Sequence, residues 1–515
     1  MKPRTRSSRS AGPAATANRE IELKLRVPPT RLRALAASPL LRASGGSKTV
    51  LLAATYYDTP DLRLSRDRIA LRVRREGRRW VQAVKGGGSV ASGVHSRLEF
   101  ESVLRDAKPD LGVLPESPLT RILQSPRIAA ALQPVFTTHI RRSVRLLVPA
   151  PGVLIEVAID RGEIRSGKRR DAVCELELEL KRGPGTALFD LALKLAAAQP
   201  LALEHHSKAA RGYALFNPQS AVPLKASAVR LDNTMDAGDA FRAIAASALA
   251  QVQGNARGVL DSADPEYLHQ MRVGLRRLRS ALNLFKQQLG DDWVEQALSL
   301  RTLAAGLGVA RDWDVLVTET LPRLRELPQA ARLLAACEAA RNVVRRNAKK
   351  SIETNDYVIL MLLLGRSLAA PQLTAAAQWH EPARAAAAHI LKRRHAQVLK
   401  RGRRLAGQSP ADLHRLRIAI KKLRYAVEFF NDLFQVKAMA VQRARLAKLQ
   451  DILGFINDAE ALGSLLESAR ACSRRWPAGA ADAVVEWHAQ QARRQRTRLT
   501  AAWRRFRDAP QPWRR

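Results

Sequence analysis

From Glu20 to about Arg182 polar and apolar residues alternate along the chain. In Glu20–Val27, EIELKLRV, the residues Glu20, Glu22, Lys24 and Arg26 fall on one side and Ile21, Leu23, Leu25 and Val27 on the other. Successive strand side chains point to opposite faces, so this is the pattern of a strand with one oily and one charged face. The same alternation sets Arg72 and Arg74 against Leu71 and Val73. It also sets Arg97, Glu99 and Glu101 against Leu98 and Phe100, and Glu156 and Asp160 against Ile155, Val157 and Ile159. In the last such run Glu175, Glu177, Glu179 and Lys181 oppose Leu176, Leu178 and Leu180. About eight runs of this kind, separated by turn residues such as Asp58-Thr59-Pro60-Asp61, predict an antiparallel barrel. Helical pieces are expected around Pro118–Leu123 and Phe189–Ala198, which makes the first half α+β.

The segment Phe216–Val229, with Pro218 and Pro223, has no periodicity and reads as a linker. Beyond it the period becomes helical and an internal repeat emerges. DPEYLHQMRVGLRRLRS from Asp264 and SPADLHRLRIAIKKLRY from Ser409 align 145 residues apart, each with an N-cap residue, a proline at the first helical position and a histidine five residues past the cap. Each repeat is followed by a second shared element, LGVARDWDVL from Leu307 and LGFINDAEAL from Leu453. This predicts an all-α duplicated helical bundle. The expected organisation is a disordered basic tail over 1–18, the barrel domain over 19–217, a linker over 218–233, and the helical domain over 234–508. Its two pseudo-repeats are expected at about 234–370 and 380–508.

Length and charge sharpen this picture. A chain of 515 residues exceeds what one core accommodates. Lys and Arg number 87 against 47 Asp and Glu, a formal net charge of +40, which calls for a polyanionic partner. Aromatic residues make up only 5%, which argues against a nucleic-acid partner held by stacked bases. Cys174, Cys337 and Cys472 lie too far apart for a zinc site or a disulfide framework, consistent with a cytoplasmic protein. The longest apolar run, Tyr357–Leu364, is short of a membrane span, and the first residues lack the apolar stretch of a secretory signal, so no membrane partner is expected.

Charged strand faces can simply meet water, and for any single strand that is the plainer reading. Taken together, carboxylates on the first and last strands with cations between them suit a polar lumen whose outer wall is covered. Hard divalent cations take oxygen donors and bind commonly through a few carboxylates plus substrate phosphates. Arginine and lysine then hold the remaining phosphate oxygens. Both signs of charge are needed when the ligand is a metal complex of an oligophosphate.

EIELKL resembles the ExExK signature of the CYTH, or triphosphate tunnel metalloenzyme, superfamily. The similarity runs through YYDTPDLRL, the paired arginines of LRVRRE, VKGG at Val84, RLEFE at Arg97, IEVAIDRGEI at Ile155, CELELELK at Cys174 and HSKAARGYAL at His206. The resemblance implies an eight-stranded antiparallel tunnel that hydrolyses a triphosphate with Mg²⁺ or Mn²⁺. Carried over, Glu20, Glu22, Glu175 and Glu177 would hold metal, and Lys24, Arg72, Arg74, Lys85, Arg97, Arg142 and Lys208 would bind substrate phosphates. Arg141 is an alternative to Arg142, because the strand register is open at this point. Lys24, Lys85, Glu99 and Glu101 are the candidates for acting on the reacting centre, and Asp160 is a further carboxylate that could activate water. Each carboxylate could equally be an ion-pair partner of a neighbouring arginine.

In the helical half, His269, Arg272, Arg276 and Arg279 share an arc of roughly 80° at about 100° per residue. His414, Arg417, Lys421 and Arg424 copy it. Like charges three and four residues apart repel, so two such faces in register call for an anion. The pattern resembles the CHAD domain, often fused to CYTH, which implies binding of inorganic polyphosphate and association with polyphosphate granules. Histidines as metal ligands are the weaker reading, since cations surround both. His389 and His395 are expected at the surface or along the basic groove, and Asp312 and Asp458 are expected to cap or pair with the basic helix. The fusion points to inorganic triphosphate as substrate. Thiamine triphosphate or ATP hydrolysis, adenylate cyclase chemistry, and a non-catalytic polyphosphate-binding protein are the alternatives.

Overall fold

The computed structural model describes residues 18–42, 46–91, 94–220, 222–370, 377–403, 405, 407–473 and 476–514. The tail expected over 1–18 lies outside them except for Asn18. The chain divides into two compact units between Val222 and Pro223.

The first unit is a closed antiparallel barrel. Its strands are β1 (Asn18–Arg26), β2 (Lys48–Asp58), β3 (Ala70–Glu76), β4 (Arg79–Ala91), β5 (Val94–Leu104), β6 (Gln133–Leu147), β7 (Leu154–Ser166) and β8 (Arg169–Arg182). They run in the order β5-β4-β3-β2-β6-β7-β8-β1, and pairing of β1 with β5 closes the circle. A short β9 (Ala202–Leu203) pairs with Leu25 and Arg26 at the end of β1. Helices α1 (Leu32–Ala36), α2 (Arg63–Arg66), α3 (Pro118–Leu123), α4 (Pro126–Ala131), α5 (Thr186–Ala198) and α6 (Lys208–Phe216) accompany the sheet.

The apolar strand faces point away from the lumen and are covered, as the alternation requires. On one side α5 packs on β1 and β8 and buries Leu188, Phe189, Leu191, Ala192 and Leu195. On another, Leu64 of α2 and Leu119 and Leu123 of α3 pack with Leu71, Val84 and Phe100. Local sequence fixes these covers. Ser117 and Thr120 form a reciprocal capping box ahead of Pro118 at the start of α3. The buried carboxylate of Asp58 accepts from the backbone N–H groups of Thr59, Leu64 and Ser65 at 2.7, 2.8 and 2.9 Å, holding the turn after β2.

Helix α6 packs against β6, β7 and β8. Its Tyr213 meets the ring of Phe136 edge-on at 5.2 Å, and Phe136 stacks on Tyr56 at 4.4 Å. The approach depends on Gly212, where a Cβ would stand 2.1 Å from the Phe136 ring. Ser207 caps the helix by accepting from Ala210 N–H at 3.2 Å.

The second unit consists of α7 (Ala237–Asp261), α8 (Pro265–Leu284), α9 (Asp292–Val315), α10 (Ala330–Glu353), α11 (Asn355–Ala369), α12 (Ala383–Gly402), α13 (Pro410–Phe429), α14 (Val436–Ala471) and α15 (Ala478–Arg507). The series α12-α13-α14 repeats α7-α8-α9. Asp264 caps α8 and Ser409 caps α13, each followed by proline, and the two helices end at Phe285 and Phe430. Leu268, Leu275, Leu278 and Leu282 of α8 are buried, as are Leu413, Ile420 and Leu423 of α13. Phe285 lies 5.3 Å from Phe241, 5.8 Å from Trp379 and 6.2 Å from Phe430, so the two repeats share one aromatic core. No helix among the described residues is long and apolar enough to cross a membrane.

Candidate functional site

The charged strand faces line the lumen, and several of their side chains are buried. Glu22 and Lys24 are each 5% exposed, and Asp160 and Glu175 are fully buried. Charges buried this deeply need partners. Lys24 donates to Glu22 at 2.8 Å and also to Glu177. Lys85 bridges Glu20 at 2.7 Å and Glu99 at 3.0 Å. Arg142 forks onto Asp160, Nε at 2.8 Å and Nη2 at 2.6 Å, and reaches Glu177. Lys208, delivered by α6, lies 2.8 Å from each of Asp160, Glu175 and Glu177. Arg72 lies 3.5 Å from Glu99, and Arg74 lies 3.3 Å from Glu101. Arg97 stands opposite Glu20 across β1 and β5 and is half-buried.

The open choice on β6 is settled by register. Arg142 faces Asp160 across β6 and β7 and turns into the lumen, while Arg141 is exposed.

Electrostatics divides the cations into two groups. Burial pushes the Glu177 carboxyl up, but Lys208, Lys24 and Arg142 together hold it well below the usual carboxylate range. Burial likewise opposes ionisation of Asp160, and Lys208 and Arg142 overcome it. Arg74 behaves oppositely. Burial and the neighbouring Arg72 lower its pKa, and Glu101 and Glu76 offset this only in part. The buried Nε atoms of Arg72 and Arg74 have no hydrogen-bond partner, nor has Oε1 of Glu99. The β3 side of the lumen thus keeps guanidinium N–H groups whose hydrogen-bonding capacity its neighbouring carboxylates do not use.

A pH dependence follows from the two depressed carboxyls. Their stabilisation is fully present above the unfolded carboxylate pKa of about 4 and is lost as pH falls through the lower folded values. Urea denaturation of the barrel should therefore show falling stability on acidification below about pH 4, with a shallower slope in Glu177→Gln. An unchanged slope in that variant would contradict the pairing.

The four carboxylates expected to hold metal are engaged by cations here: Lys24 pairs with both Glu22 and Glu177, and Lys208 with both Glu175 and Glu177. Across β1 and β8, Glu22 faces Glu179, Lys24 faces Glu177, and Arg26 faces Glu175. Antiparallel register carries Glu175 away from Glu20, toward Lys208 and Arg211. The carboxylate nearest in register to Glu22 is Glu179, which in turn faces Glu156 on β7. Burial, with Glu20 and Glu156 adding to it, holds the Glu179 carboxyl above its usual range despite Lys181 at 2.6 Å. Among the described residues no group of three or more acidic, imidazole or thiol side chains is arranged to hold a metal.

One lumen cation escaped sequence reasoning. Arg211, 6% exposed, donates to Asp171 at 2.8 Å and also pairs with Glu175. The available signal was its spacing of three from Lys208, which places both on one helical face.

In the helical unit, α8 and α13 present the two basic faces. Arg272 donates to the Ala304 carbonyl at 3.0 Å and lies over α9 at Gly308, where a Cβ would stand 2.9 Å from its guanidinium. In the second repeat Arg417 lies over Gly454, 3.7 Å from where a Cβ would be. The LG pair of each shared element is thus a seat for the basic helix. Burial pushes Arg272 down to about 10; Asp312 resists this, and Arg276, Arg311 and Arg279 add to it. Asp312, expected to cap or pair with the basic helix, opposes this lowering of Arg272, whereas the side chain of Asp458 lies outside the described residues.

Arg276 and Arg279 are half-buried on α8, as are Lys421 and Arg424 on α13. The Nε of Arg276 is buried without a hydrogen-bond partner. The histidines differ. His269 is pushed down by burial and by Arg311, whereas His414 is exposed with Nδ1 2.6 Å from Asn457 Oδ1. His389 is exposed, 3.0 Å from Glu381. His395 is not a surface residue: it is 2% exposed against Phe506 and Trp513, and burial pushes it down to about 4.

Comparison with known proteins agrees with this division. Residues 18–213 match the CYTH domain model and residues 243–467 the CHAD domain model. The curated inorganic triphosphatase of Haemophilus influenzae is 34% identical over 204 residues, 39% of this chain and 56% of its own length. The chain thus spans a little over half the length of that relative. The crystal structure of the CHAD domain from the plant Ricinus communis is 32% identical, with a TM-score of 0.52, covering 56% of this chain and 98% of that one. The chain therefore joins a CYTH domain to a CHAD domain.

Proposed function

We propose that the barrel hydrolyses inorganic triphosphate to pyrophosphate and phosphate with the help of a divalent cation, and that the helical domain binds inorganic polyphosphate. The observation that carries this reading is the buried β3 face, where Arg72 and Arg74 each keep an Nε–H without an acceptor although Glu99, Glu101 and Glu76 stand within ion-pair reach. Phosphate oxygens are the acceptors that fit them. The name of the Haemophilus influenzae relative supports inorganic triphosphate as substrate.

In this reading Arg72, Arg74, Lys85, Arg97, Arg142 and Lys208 hold the chain of phosphates, and Lys24 stands between metal and substrate. As the substrate enters, its oxygens take over the cations now held by carboxylates, which frees Glu20 and Glu22. These two would then offer oxygen donors of the kind that Mg²⁺ or Mn²⁺ takes, and Glu175 and Glu177 serve to position Lys208, Arg211 and Arg142. A bound cation would supply charge neutralisation on the phosphoryl oxygens. The side chains align the substrate and stabilise charge on the transferring group while water attacks in line.

The test is release of phosphate by the full chain from tripolyphosphate, thiamine triphosphate and ATP, with a parallel assay for cyclic AMP. The expected result is the highest kcat/KM on tripolyphosphate and no cyclic AMP. Preference for either organic triphosphate would overturn the substrate, and cyclic AMP formation would overturn the reaction.

A further inference from the structure

The two repeats of the helical unit differ in charge at one buried position. In the first repeat Arg277 of α8 is 1% exposed and a carboxylate balances it: its Nε lies 3.2 Å from Glu428 Oε1 on α13, and its Nη1 donates to Gln251 of α7 at 3.1 Å. The 145-residue offset makes Lys422 of α13 the counterpart of Arg277, and Asn283 of α8 the counterpart of Glu428. An amide thus stands where the other half has a carboxylate. The shared Ala-Gln-Val at Ala250 and Ala396 aligns α7 with α12, which makes Arg394 the counterpart of Ala248 and Arg401 that of Asn255. Two cations thus stand where the other half has neutral side chains.

Neutral groups hold these cations. Arg394, 8% exposed, donates from Nη2 to the backbone carbonyl and Oδ1 of Asn283, both at 3.0 Å, and from Nη1 to Gln397 at 3.2 Å. Arg401 is exposed and donates to the Arg415 carbonyl at 2.8 Å. Lys422 is half-buried; burial lowers the pKa of its ammonium, and Arg394 and Arg401 add to this. Among the described residues no carboxylate pairs with any of the three. Buried cations need a counter-charge, and here the chain omits the one that its other half supplies. Lys422 lies about 100° round α13 from Lys421, so the place is separate from the basic face. Its edge at Gln397 and Arg401 is exposed and admits a ligand. A tetrahedral oxyanion accepts from an ammonium with three donors and from the remaining N–H groups of the Arg401 fork. We infer that the seam between α12 and α13 binds a single phosphate-type oxyanion, held by Lys422 and Arg401 in the field of Arg394.

Acetylation of the full chain by acetic anhydride, read at Lys422 by mass spectrometry of its peptides, tests this. Orthophosphate should slow labelling of Lys422 saturably, by the factor 1 + [L]/Kd, and chloride at equal ionic strength should not. Arg401→Met, at an exposed position, should weaken the protection at least about tenfold, the loss typical of a hydrogen bond between charged groups. Asn283→Asp keeps the acceptor for Arg394 and restores the carboxylate of the first repeat. It should slow labelling without phosphate, leave phosphate little further effect, and raise the urea midpoint in phosphate-free buffer, which shows that it folds. Arg272→Glu with Arg417→Glu should leave the protection unchanged. Equal protection by chloride, protection by long-chain polyphosphate with none by orthophosphate, full phosphate protection in Asn283→Asp, or its loss in the Arg272 and Arg417 double variant would overturn the assignment.

Discussion

Replacing Arg74 by methionine is expected to lower kcat/KM on tripolyphosphate by about 10²- to 10³-fold, the cost typical of removing one preorganised donor to developing charge, without lowering stability. The two halves of this expectation have the same origin. Arg74 is buried beside Arg72, its pKa is lowered by that burial and that neighbour, and its Nε has no acceptor. Glu76 and Glu101 offset the strain of burying this cation beside Arg72 only in part, so deleting the charge while keeping the methylene packing relieves repulsion. Only an anion entering the lumen turns the strain to use. Urea denaturation should give a midpoint at or above that of the wild type, alongside the loss of rate. A variant that lost stability and kept its rate would make Arg74 a structural ion-pair partner.

The double variant Arg272→Glu with Arg417→Glu is expected to lose retention on long-chain polyphosphate while hydrolysing tripolyphosphate at the wild-type rate. Both arginines lie across a glycine of the neighbouring helix, and Arg272 is held down to about 10 by burial and crowded by Arg276, Arg311 and Arg279. Introducing carboxylates removes two attractive contacts and adds two repulsive ones for every polyanion that tracks the face. Losses from phosphate contacts are steeply salt-dependent, so the wild type itself should release polyphosphate as ionic strength rises. Retention of polyphosphate by the variant would place the binding face elsewhere. Equal loss of hydrolysis at unchanged stability would tie the two activities together.

Much of this arrangement was legible in the chain because a period of two is unambiguous when both faces are informative. Leu23 and Leu25 had to be covered, and Glu22 and Lys24 had to face the other way. The 145-residue repeat likewise carried caps, histidines and cations in step, and α8 and α13 reproduce it down to Phe285 and Phe430. What alternation does not carry is register. It places Glu175, Glu177 and Glu179 on one face without saying which meets Glu22, and the hydrogen-bonded ladder selects Glu179. The same limit left Arg141 and Arg142 open until Asp160 was placed opposite the latter. Arg211 went unread because its partners, Asp171 and Glu175, come from a strand distant in sequence. His395 looked exposed among Lys392, Arg393 and Arg394, yet tertiary packing by Phe506 and Trp513 buries it.

The account rests on the charged lumen being a triphosphate site, and phosphate release from tripolyphosphate with Mg²⁺ and with chelator, for wild type and Glu22→Gln, tests it most directly. The predicted result is release that depends on the metal and falls at least about 10²-fold in the variant, as for a group that supports charge neutralisation in the transition state. No metal-dependent release, or equal release from Glu22→Gln, would contradict it.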